Sequence, residues 1–278
     1  MSDNLPNIGE ISYLEIDGLQ IRIARGGADE GVPVVLTSPW PESIYAFRDI
    51  LPEFSSKAPY IAIDLPGFGL SEGRADLMAP KAMAGFIVKA AELLGITKMH
   101  GVGPDIGALA FLFAASERPD LFASLIVGSG ATSVDLAAGG LVDLIASKPG
   151  AYAGMEGGDL GTGFITSAAA RPTPPAVLDD YRKSSAGTRF EDATNFVRAY
   201  NGELPVLKAL LPTIETPVLV LAGHQDPLVP PSNGKLLEDL LPRGHQVLLE
   251  GGHLIWEDAA NEYGTRIADW IGGGFHDA

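Results

Sequence analysis

The sequence contains no cysteine, which excludes disulfide bonds, thiol chemistry and cysteine-based zinc sites. No uninterrupted apolar run is long enough to span a bilayer. Basic residues are few, because 19 Lys and Arg stand against 35 Asp and Glu, giving a formal charge of -16 at pH 7. That charge disfavours a nucleic-acid or anionic-membrane partner. The first residues lack the basic and apolar regions of a signal peptide, so a cytoplasmic protein is expected.

What the chain does have is apolar residues in alternating strand and helix patterns. Its 278 residues are 46% hydrophobic, which is enough for a large core. Ser12–Ile16 and Leu19–Ile23 alternate apolar and polar residues around Asp17-Gly18 and predict an antiparallel hairpin. Short apolar strands then alternate with amphipathic helices. This order predicts an α/β protein with a mostly parallel sheet covered by helices on both faces.

The composition changes after Gly130, where the strand pattern stops. Glycine is dense between Gly139 and Gly163, and apolar stripes at helical spacing follow, ending at Tyr200. The strand pattern resumes at Pro217. We therefore expect a core formed by residues 1–132 and 206–278, with a helical insertion at residues 133–205.

The motif around which the chain is organised is Gly103-x-Asp105-x-Gly107, between a short apolar strand and an apolar helix. This is the spacing of a nucleophile elbow, with Asp where Ser is more usual. Glycine-sized neighbours allow the two backbones to approach at such a turn. Asp105 would then be exposed at the sheet edge as a nucleophile, and the N–H of Ile106 would point into the same space.

Three other interpretations of Asp105 compete with the nucleophile. Asp105 could cap the N-terminus of the following helix, a common role of Asp. The glycines could belong to a dinucleotide-binding loop, but that fingerprint requires glycine where Ile106 stands. Asp105 could also bind a metal, although no His/Asp cluster with ligand spacing lies nearby. The choice depends on whether catalytic partners occur further along the chain.

Two such partners follow the last predicted strands. Asp226 lies just past the strand that ends at Gly223, and His253 follows the next strand after Gly251-Gly252. Strand ends on one edge of a parallel sheet converge, so Asp105, Asp226 and His253 can meet there. Their chain order is nucleophile, acid, histidine, as in the α/β-hydrolase plan.

These motifs resemble the α/β-hydrolase superfamily, and within it the branch with an aspartate nucleophile: epoxide hydrolases and haloalkane or haloacetate dehalogenases. The resemblance covers nearly the whole chain. It is carried by residues 64–71 (Asp-Leu-Pro-Gly-Phe-Gly-Leu-Ser), the elbow, residues 223–226 (Gly-His-Gln-Asp) and residues 251–253 (Gly-Gly-His). It implies the α/β-hydrolase fold, with the helical insertion forming a cap over the active site.

The oxyanion loop departs from the family pattern. The family usually has His-Gly-x-Pro, whereas this chain has Ser38-Pro39-Trp40-Pro41. The resemblance implies that the N–H of Trp40 is an oxyanion donor beside that of Ile106. Trp40-Pro41 is a candidate cis bond, because such turns often need one. Ser38 replaces the histidine that usually supports the loop, and Pro39 has no N–H to donate.

The mechanism that the resemblance implies is a two-step hydrolysis without a metal or organic cofactor. Asp105 attacks carbon and forms an alkyl ester, and His253, oriented by Asp226, activates the water that cleaves it. Opening an epoxide also needs an acid, which epoxide hydrolases commonly supply from cap tyrosines. Tyr200 is expected in that role first and Tyr181 second.

The expected function is therefore epoxide hydrolase-like action on a small, largely apolar molecule. Haloalkane dehalogenases commonly place Trp directly after the nucleophile, and haloacetate dehalogenases place arginines there, whereas this chain has Ile106 and then apolar residues. A dehalogenase nevertheless stays an alternative. So do an ester or lactone hydrolase of the same fold and a ligand-binding relative without turnover. The expected partner is a small-molecule substrate, and a homodimer is left open.

Overall fold

The computed structural model describes residues 4–276 and contains one eight-stranded sheet with helices around it. The strands are β1 (Glu10–Ile16), β2 (Leu19–Gly27), β3 (Val34–Thr37), β4 (Pro59–Ile63), β5 (Met99–Pro104), β6 (Phe122–Gly128), β7 (Val218–Gly223) and β8 (Gly244–Leu249). The helices are α1 (Leu51–Phe54), α2 (Pro80–Leu93), α3 (Ile106–Glu117), α4 (Gly139–Ala146), α5 (Gly157–Ala168), α6 (Pro175–Ser185), α7 (Arg189–Arg198), α8 (Tyr200–Leu210), α9 (Ser232–Leu240), α10 (Ile255–Asp258) and α11 (Ala260–Ile271).

The strand order in the sheet is β1-β2-β4-β3-β5-β6-β7-β8. The β1–β2 hairpin is antiparallel, with Ile16 opposite Leu19, and β2 pairs antiparallel with β4. All other neighbouring strands are parallel. The predicted hairpin and the mostly parallel sheet are both confirmed. The carboxyl ends of β5, β7 and β8 therefore lie along one edge, where the three candidate catalytic residues follow them.

Apolar side chains fill both faces of the sheet, because successive residues of a strand point to opposite sides. Val34 and Leu36 face the layer that contains α1 and α11, whereas Val35 faces the layer that contains α2 and α3. Helix α3 is apolar all round because it is buried, and Phe111 and Phe113 are both 0% exposed. Burying each such side chain contributes about 1.5–3 kcal/mol. Among residues 4–276, no helix combines the length and apolarity needed to cross a bilayer.

Helices α4 to α8 lie between β6 and β7, and we call residues 134–213 the helical segment. The boundary predicted at residue 205 falls inside α8, so the segment continues somewhat further than expected. A buried ion cluster attaches α6 to the core. Arg22 Nη1 and Nη2 donate to the carboxylate of Asp180 at 2.7 and 3.0 Å, and Arg22 Nε donates to Asp64 at 2.6 Å. One buried guanidinium therefore joins a carboxylate of the helical segment to one of the core.

Candidate active site

The turn between β5 and α3 holds Asp105 in a strained conformation, with φ 53° and ψ -121°. Such a conformation costs on the order of 1–3 kcal/mol and persists only when its surroundings enforce it. The flanking glycines make the turn possible. A Cβ on Gly103 would come within 2.7 Å of the backbone of Gly107, and one on Gly107 within 2.1 Å of Thr37 Oγ1. The sequence expectation of a sharp strand-to-helix turn holds for this reason.

The two carboxylate oxygens of Asp105 have different surroundings. Oδ2 accepts a hydrogen bond from the backbone N–H of Trp40 at 2.8 Å, and the N–H of Ile106 also donates to the carboxylate. Oδ1 lies 3.9 Å from Nε2 of His253. The Trp40-Pro41 peptide bond is cis, as the loop sequence suggested. The predicted pair of oxyanion donors thus converges on the carboxylate of Asp105 itself.

Burial and neighbouring groups shift the pKa of Asp105 in opposite directions. Burial raises the pKa of the carboxyl above its ordinary value, and the side chain is 15% exposed. His253 and the N–H groups of Trp40 and Ile106 lower that pKa in part, because they stabilise the charged form. A carboxylate with few stabilising partners is more basic and more nucleophilic than one in water.

His253 is oriented by Asp226, as the chain order predicted. Nδ1 of His253 lies 2.8 Å from Oδ2 of Asp226, whose other oxygen accepts from the N–H groups of Leu228 and Val229, each at 2.9 Å. This arrangement places a proton on Nδ1 and leaves Nε2 free towards Asp105. Burial lowers the pKa of His253, but the hydrogen bond and charge of Asp226, together with the charge of Asp105, raise it above its ordinary value overall.

A cavity of about 140 Å³ opens over Asp105 and His253. Its polar walls are few, and most of the surface is formed by apolar side chains of the helical segment and of the strand-end loops. The lining residues are Trp40, Pro41, Asp105, Ala131, Gly140, Leu141, Leu144, Phe164, Phe190, Val197, Tyr200, Leu228, Val229 and His253.

Tyr200 lines this cavity and Tyr181 does not. Tyr200 is 2% exposed, and no hydrogen bond joins its hydroxyl to any residue in the described range. Burial, and then the charge of Asp105, raise the pKa of the Tyr200 hydroxyl well above its ordinary value, so it stays protonated. The hydroxyl of Tyr181 instead donates to Oε1 of Glu257 at 2.5 Å. The expectation of Tyr181 as a second acid is therefore wrong, because its hydroxyl donates to Glu257 and does not reach the cavity.

Comparison with known proteins gives the same fold. A model of the α/β-hydrolase fold matches residues 32–145. A relative from Stutzerimonas stutzeri, provisionally named carbamate hydrolase RutD, is 30% identical over 195 residues, covering 66% of this chain and 71% of the relative. The chain belongs to the α/β-hydrolase family. The solved haloalkane dehalogenase DbeA from Bradyrhizobium elkani superposes with a TM-score of 0.80 over 97% of this chain and 99% of its own, at 19% identity.

Other relatives of this chain carry names of different kinds. The magnesium-chelatase 30 kDa subunit of Rhodobacter capsulatus is 29% identical over 280 residues, which cover 96% of this chain and 93% of that protein. The soluble epoxide hydrolase of a Corynebacterium strain is 33% identical, but over 113 residues that cover 40% of this chain and 38% of that one. These names do not agree on one reaction, so the choice of chemistry depends on the site.

Sequence reasoning missed some residues of the site. Phe164 lines the cavity with its ring 6.1 Å from that of His253, but it lies in the glycine-rich part of the helical segment, where no periodic pattern marks it. The support of the oxyanion loop was also missed: Ser184 Oγ donates to the carbonyl of Pro41 at 2.8 Å. Within residues 4–276, no group of three or more His, Asp or Glu side chains is placed to hold a metal ion.

Proposed function

We propose that this protein hydrolyses small, neutral, largely apolar epoxides through an alkyl ester on Asp105. The observation that carries the proposal is the hydrogen bond from the N–H of Trp40 to Oδ2 of Asp105. In a serine hydrolase the corresponding donors face the carbonyl of the substrate. Here they face the nucleophile, so the oxyanion that they stabilise forms on the side chain of the enzyme. That suits an ester whose carbonyl is that of Asp105.

The first step is alkylation. Oδ1 of Asp105, which lies 3.9 Å from Nε2 of His253, attacks one epoxide carbon, and the bond from that carbon to the ring oxygen breaks. The ring oxygen leaves as an alkoxide and takes the proton of the Tyr200 hydroxyl, which lines the same cavity. A phenol kept neutral by burial can donate at neutral pH. The product is a 2-hydroxyalkyl ester of Asp105.

The second step is hydrolysis of that ester. Nε2 of His253 accepts a proton from water, and the hydroxide adds to Cγ of Asp105. The N–H groups of Trp40 and Ile106 stabilise the negative charge that develops on Oδ2. Collapse breaks the bond from Cγ to the alkyl oxygen and releases the diol, and one oxygen from water remains in the carboxylate. The proton on His253 passes to the departing alkoxide. The second proton of the water, left on the Asp105 carboxyl, returns to the oxygen of Tyr200, so that both side chains regain their starting states.

The size and lining of the cavity support the substrate class. About 140 Å³ is close to the roughly 150 Å³ that accommodates benzene in an engineered protein cavity. Among the described lining residues, His253 is the one side chain that can carry a positive charge, and it is already paired with Asp226. An anionic substrate such as a haloacetate therefore has no arginine or lysine to bind its charge there. In this proposal the helical segment is the cap, because Leu141, Leu144 and Val197 supply much of the apolar wall.

The proposal is tested with a panel of neutral epoxides of about six to nine non-hydrogen atoms, with haloalkanes and esters of equal size beside them. We expect diol from the epoxides and no diol with Asp105→Ala. His253→Gln should accumulate an adduct on Asp105 whose mass equals that of the epoxide, detected after proteolysis. An epoxide that bears a carboxylate is the matched control and should react far more slowly.

The position of the label separates a nucleophile from a base. In a single turnover in heavy-oxygen water, the label should enter Asp105 and be absent from the diol. Label that appears directly in the diol would mean that Asp105 deprotonates water instead, and the proposal would fail. Ester cleavage without epoxide cleavage would favour the ester hydrolase alternative.

A further inference from the structure

A second group of titratable side chains lies buried next to the active site and takes no part in the two steps above. It consists of Glu42, Arg48, Tyr181, Trp256 and Glu257, which we call the carboxyl cluster. The four residues other than Arg48 are at most 5% exposed, and the Arg48 side chain is 8% exposed. They come from the loop that follows Trp40, from α6 and from α10, which begins two residues after His253.

The hydrogen bonds of the carboxyl cluster leave one atom unaccounted for. Oε1 of Glu257 accepts from Arg48 Nη1 and from the hydroxyl of Tyr181, both at 2.5 Å. Trp256 Nε1 donates to Oε2 of Glu42 at 3.0 Å. Oε1 of Glu42 is buried, and no donor in the described part of the chain reaches it. The carboxyl of Glu42 lies within hydrogen-bonding reach of Glu257, which is itself an acceptor.

The charges of the cluster explain why Oε1 of Glu42 has no donor. If both glutamates were ionised, two negative charges would face one guanidinium in a buried site, and Oε1 of Glu42 would bond to nothing. A proton on Glu42 supplies a donor to Glu257 and leaves a balanced pair of Glu257 and Arg48. Burial, and then the charge of Glu257, raise the pKa of Glu42 well above its ordinary value, although Arg48 lowers it in part.

The other charged groups around the cluster leave that balance unchanged. Asp49 contacts Arg48 Nε at 3.4 Å, but its side chain is 51% exposed and therefore screened by water. Arg171 donates to the backbone carbonyl of Glu257, and its charge is opposed by that of Asp258. Glu257, with the salt bridge to Arg48, is the ionised member of the pair.

We propose that Glu42 is a positioning residue held as the neutral acid, and that its bond to Glu257 fixes the oxyanion loop against the histidine loop. Glu42 follows Trp40 by two residues, so it sets the position of the N–H that binds Asp105. Trp256, bonded to Glu42, has its ring 5.7 Å from that of His253. The effect on turnover rests on the proposed function, whereas the protonation of Glu42 does not.

The protonation is tested without any substrate, with Glu42→Gln. The amide can accept from Trp256 and donate to Glu257, but it cannot titrate. Above the ordinary pKa of glutamate, the unfolded wild type ionises Glu42 while the folded protein keeps the proton. The folding equilibrium constant of the wild type should therefore fall about tenfold more per pH unit than that of Glu42→Gln, until the raised pKa is reached. Urea unfolding at several pH values measures this, and equal pH slopes would overturn the proposal.

Two further measurements complete the test. Glu262→Gln, at an exposed residue paired with Arg266, is the matched control and should keep the wild-type slope. If Glu42→Gln does not fold, the infrared spectrum of the wild type decides the question. A protonated carboxyl band at neutral pH that shifts on ¹³C labelling of glutamate supports the proposal, and its absence overturns it.

The positioning role is tested on an epoxide that the wild type hydrolyses. Glu42→Gln should keep kcat within about threefold at neutral pH and lose any alkaline decline that loss of this proton causes. Glu42→Ala should lower kcat tenfold or more, with less change in KM, because the oxyanion donor loses its support. Equal kcat in Glu42→Ala and the wild type would overturn the positioning role. Failure of every epoxide would overturn the proposed function and leave the unfolding result standing.

Discussion

Replacing Tyr200 by Phe separates epoxide chemistry from every alternative that does not need an acid. The substitution keeps the ring, which packs edge-on against Phe196 with centroids 6.0 Å apart, and removes the hydroxyl alone. Because that hydroxyl has no hydrogen-bond partner in the described structure, its loss orphans no buried group. We expect the unfolding free energy to change by less than about 1 kcal/mol.

The effect on the reaction should be much larger. General-acid catalysis commonly contributes about 10²–10⁴-fold, which corresponds to a barrier change of about 2.7–5.5 kcal/mol. Tyr200 is the one tyrosine among the described residues that line the cavity, so we expect the loss of rate to lie within that range rather than below it. The measurement is the rate of ester formation on Asp105 in a rapid-mixing experiment with excess enzyme, which isolates alkylation from hydrolysis.

Tyr181→Phe is the matched control for this substitution. It also removes one phenolic hydroxyl from the helical segment, but one that bonds Glu257 and lies away from the cavity. We expect it to lower stability and to leave the alkylation rate within a fewfold of the wild type. Equal losses of alkylation rate in the two variants would refute the assignment of Tyr200 as the acid. A haloalkane is the second control, since a halide leaves without a proton.

Three other predictions concern the histidine, the buried ion cluster and the helical segment. The rate of hydrolysis of the Asp105 ester should fall as pH drops through the raised pKa of His253, because only the neutral imidazole accepts a proton. In a stopped-flow pH profile, Asp226→Asn should move that fall to lower pH, since Asp226 raises the pKa of His253. Arg22→Met should lower the unfolding free energy by about 3–5 kcal/mol in urea, because it leaves the carboxylates of Asp64 and Asp180 buried together, whereas Asp180→Asn should cost less. Amide exchange should be faster across residues 139–163 than in the sheet and α6, because glycine is dense there and lowers local order, and ligand should slow it. Uniform protection of both regions would contradict this expectation.

Much of the fold and the geometry of three site residues could be predicted because the signals were local. Asp105, Asp226 and His253 each lie within four residues of the end of an apolar strand, and parallel strands bring such positions to one edge. The sharp turn at Asp105 was predictable because Gly103 and Gly107 lack a Cβ, which would clash with the neighbouring backbone or with Thr37. For these residues the position along the chain determines the position in space.

The assignment of the acid could not be made in this way. Tyr181 and Tyr200 both follow apolar residues at helical spacing, so their patterns predict the same burial. What distinguishes them is Glu257, which binds Tyr181 from 76 residues away. The carboxyl cluster is hidden from the sequence for the same reason, because Glu42 and Trp256 are 214 residues apart. Long-range polar contacts of this kind leave no periodic signal.

The two backbone donors to Asp105 have opposite effects on the rates of the two proposed steps. During alkylation Asp105 loses negative charge, so the hydrogen bonds from Trp40 and Ile106 weaken and oppose the step. During hydrolysis a full charge develops on Oδ2, and the same bonds strengthen. Burial offsets the first effect, because it makes the carboxylate less stable and more nucleophilic, in keeping with the raised pKa of Asp105. In the proposed mechanism, burial and the proton of Tyr200 therefore assist alkylation, and the backbone donors and His253 assist hydrolysis.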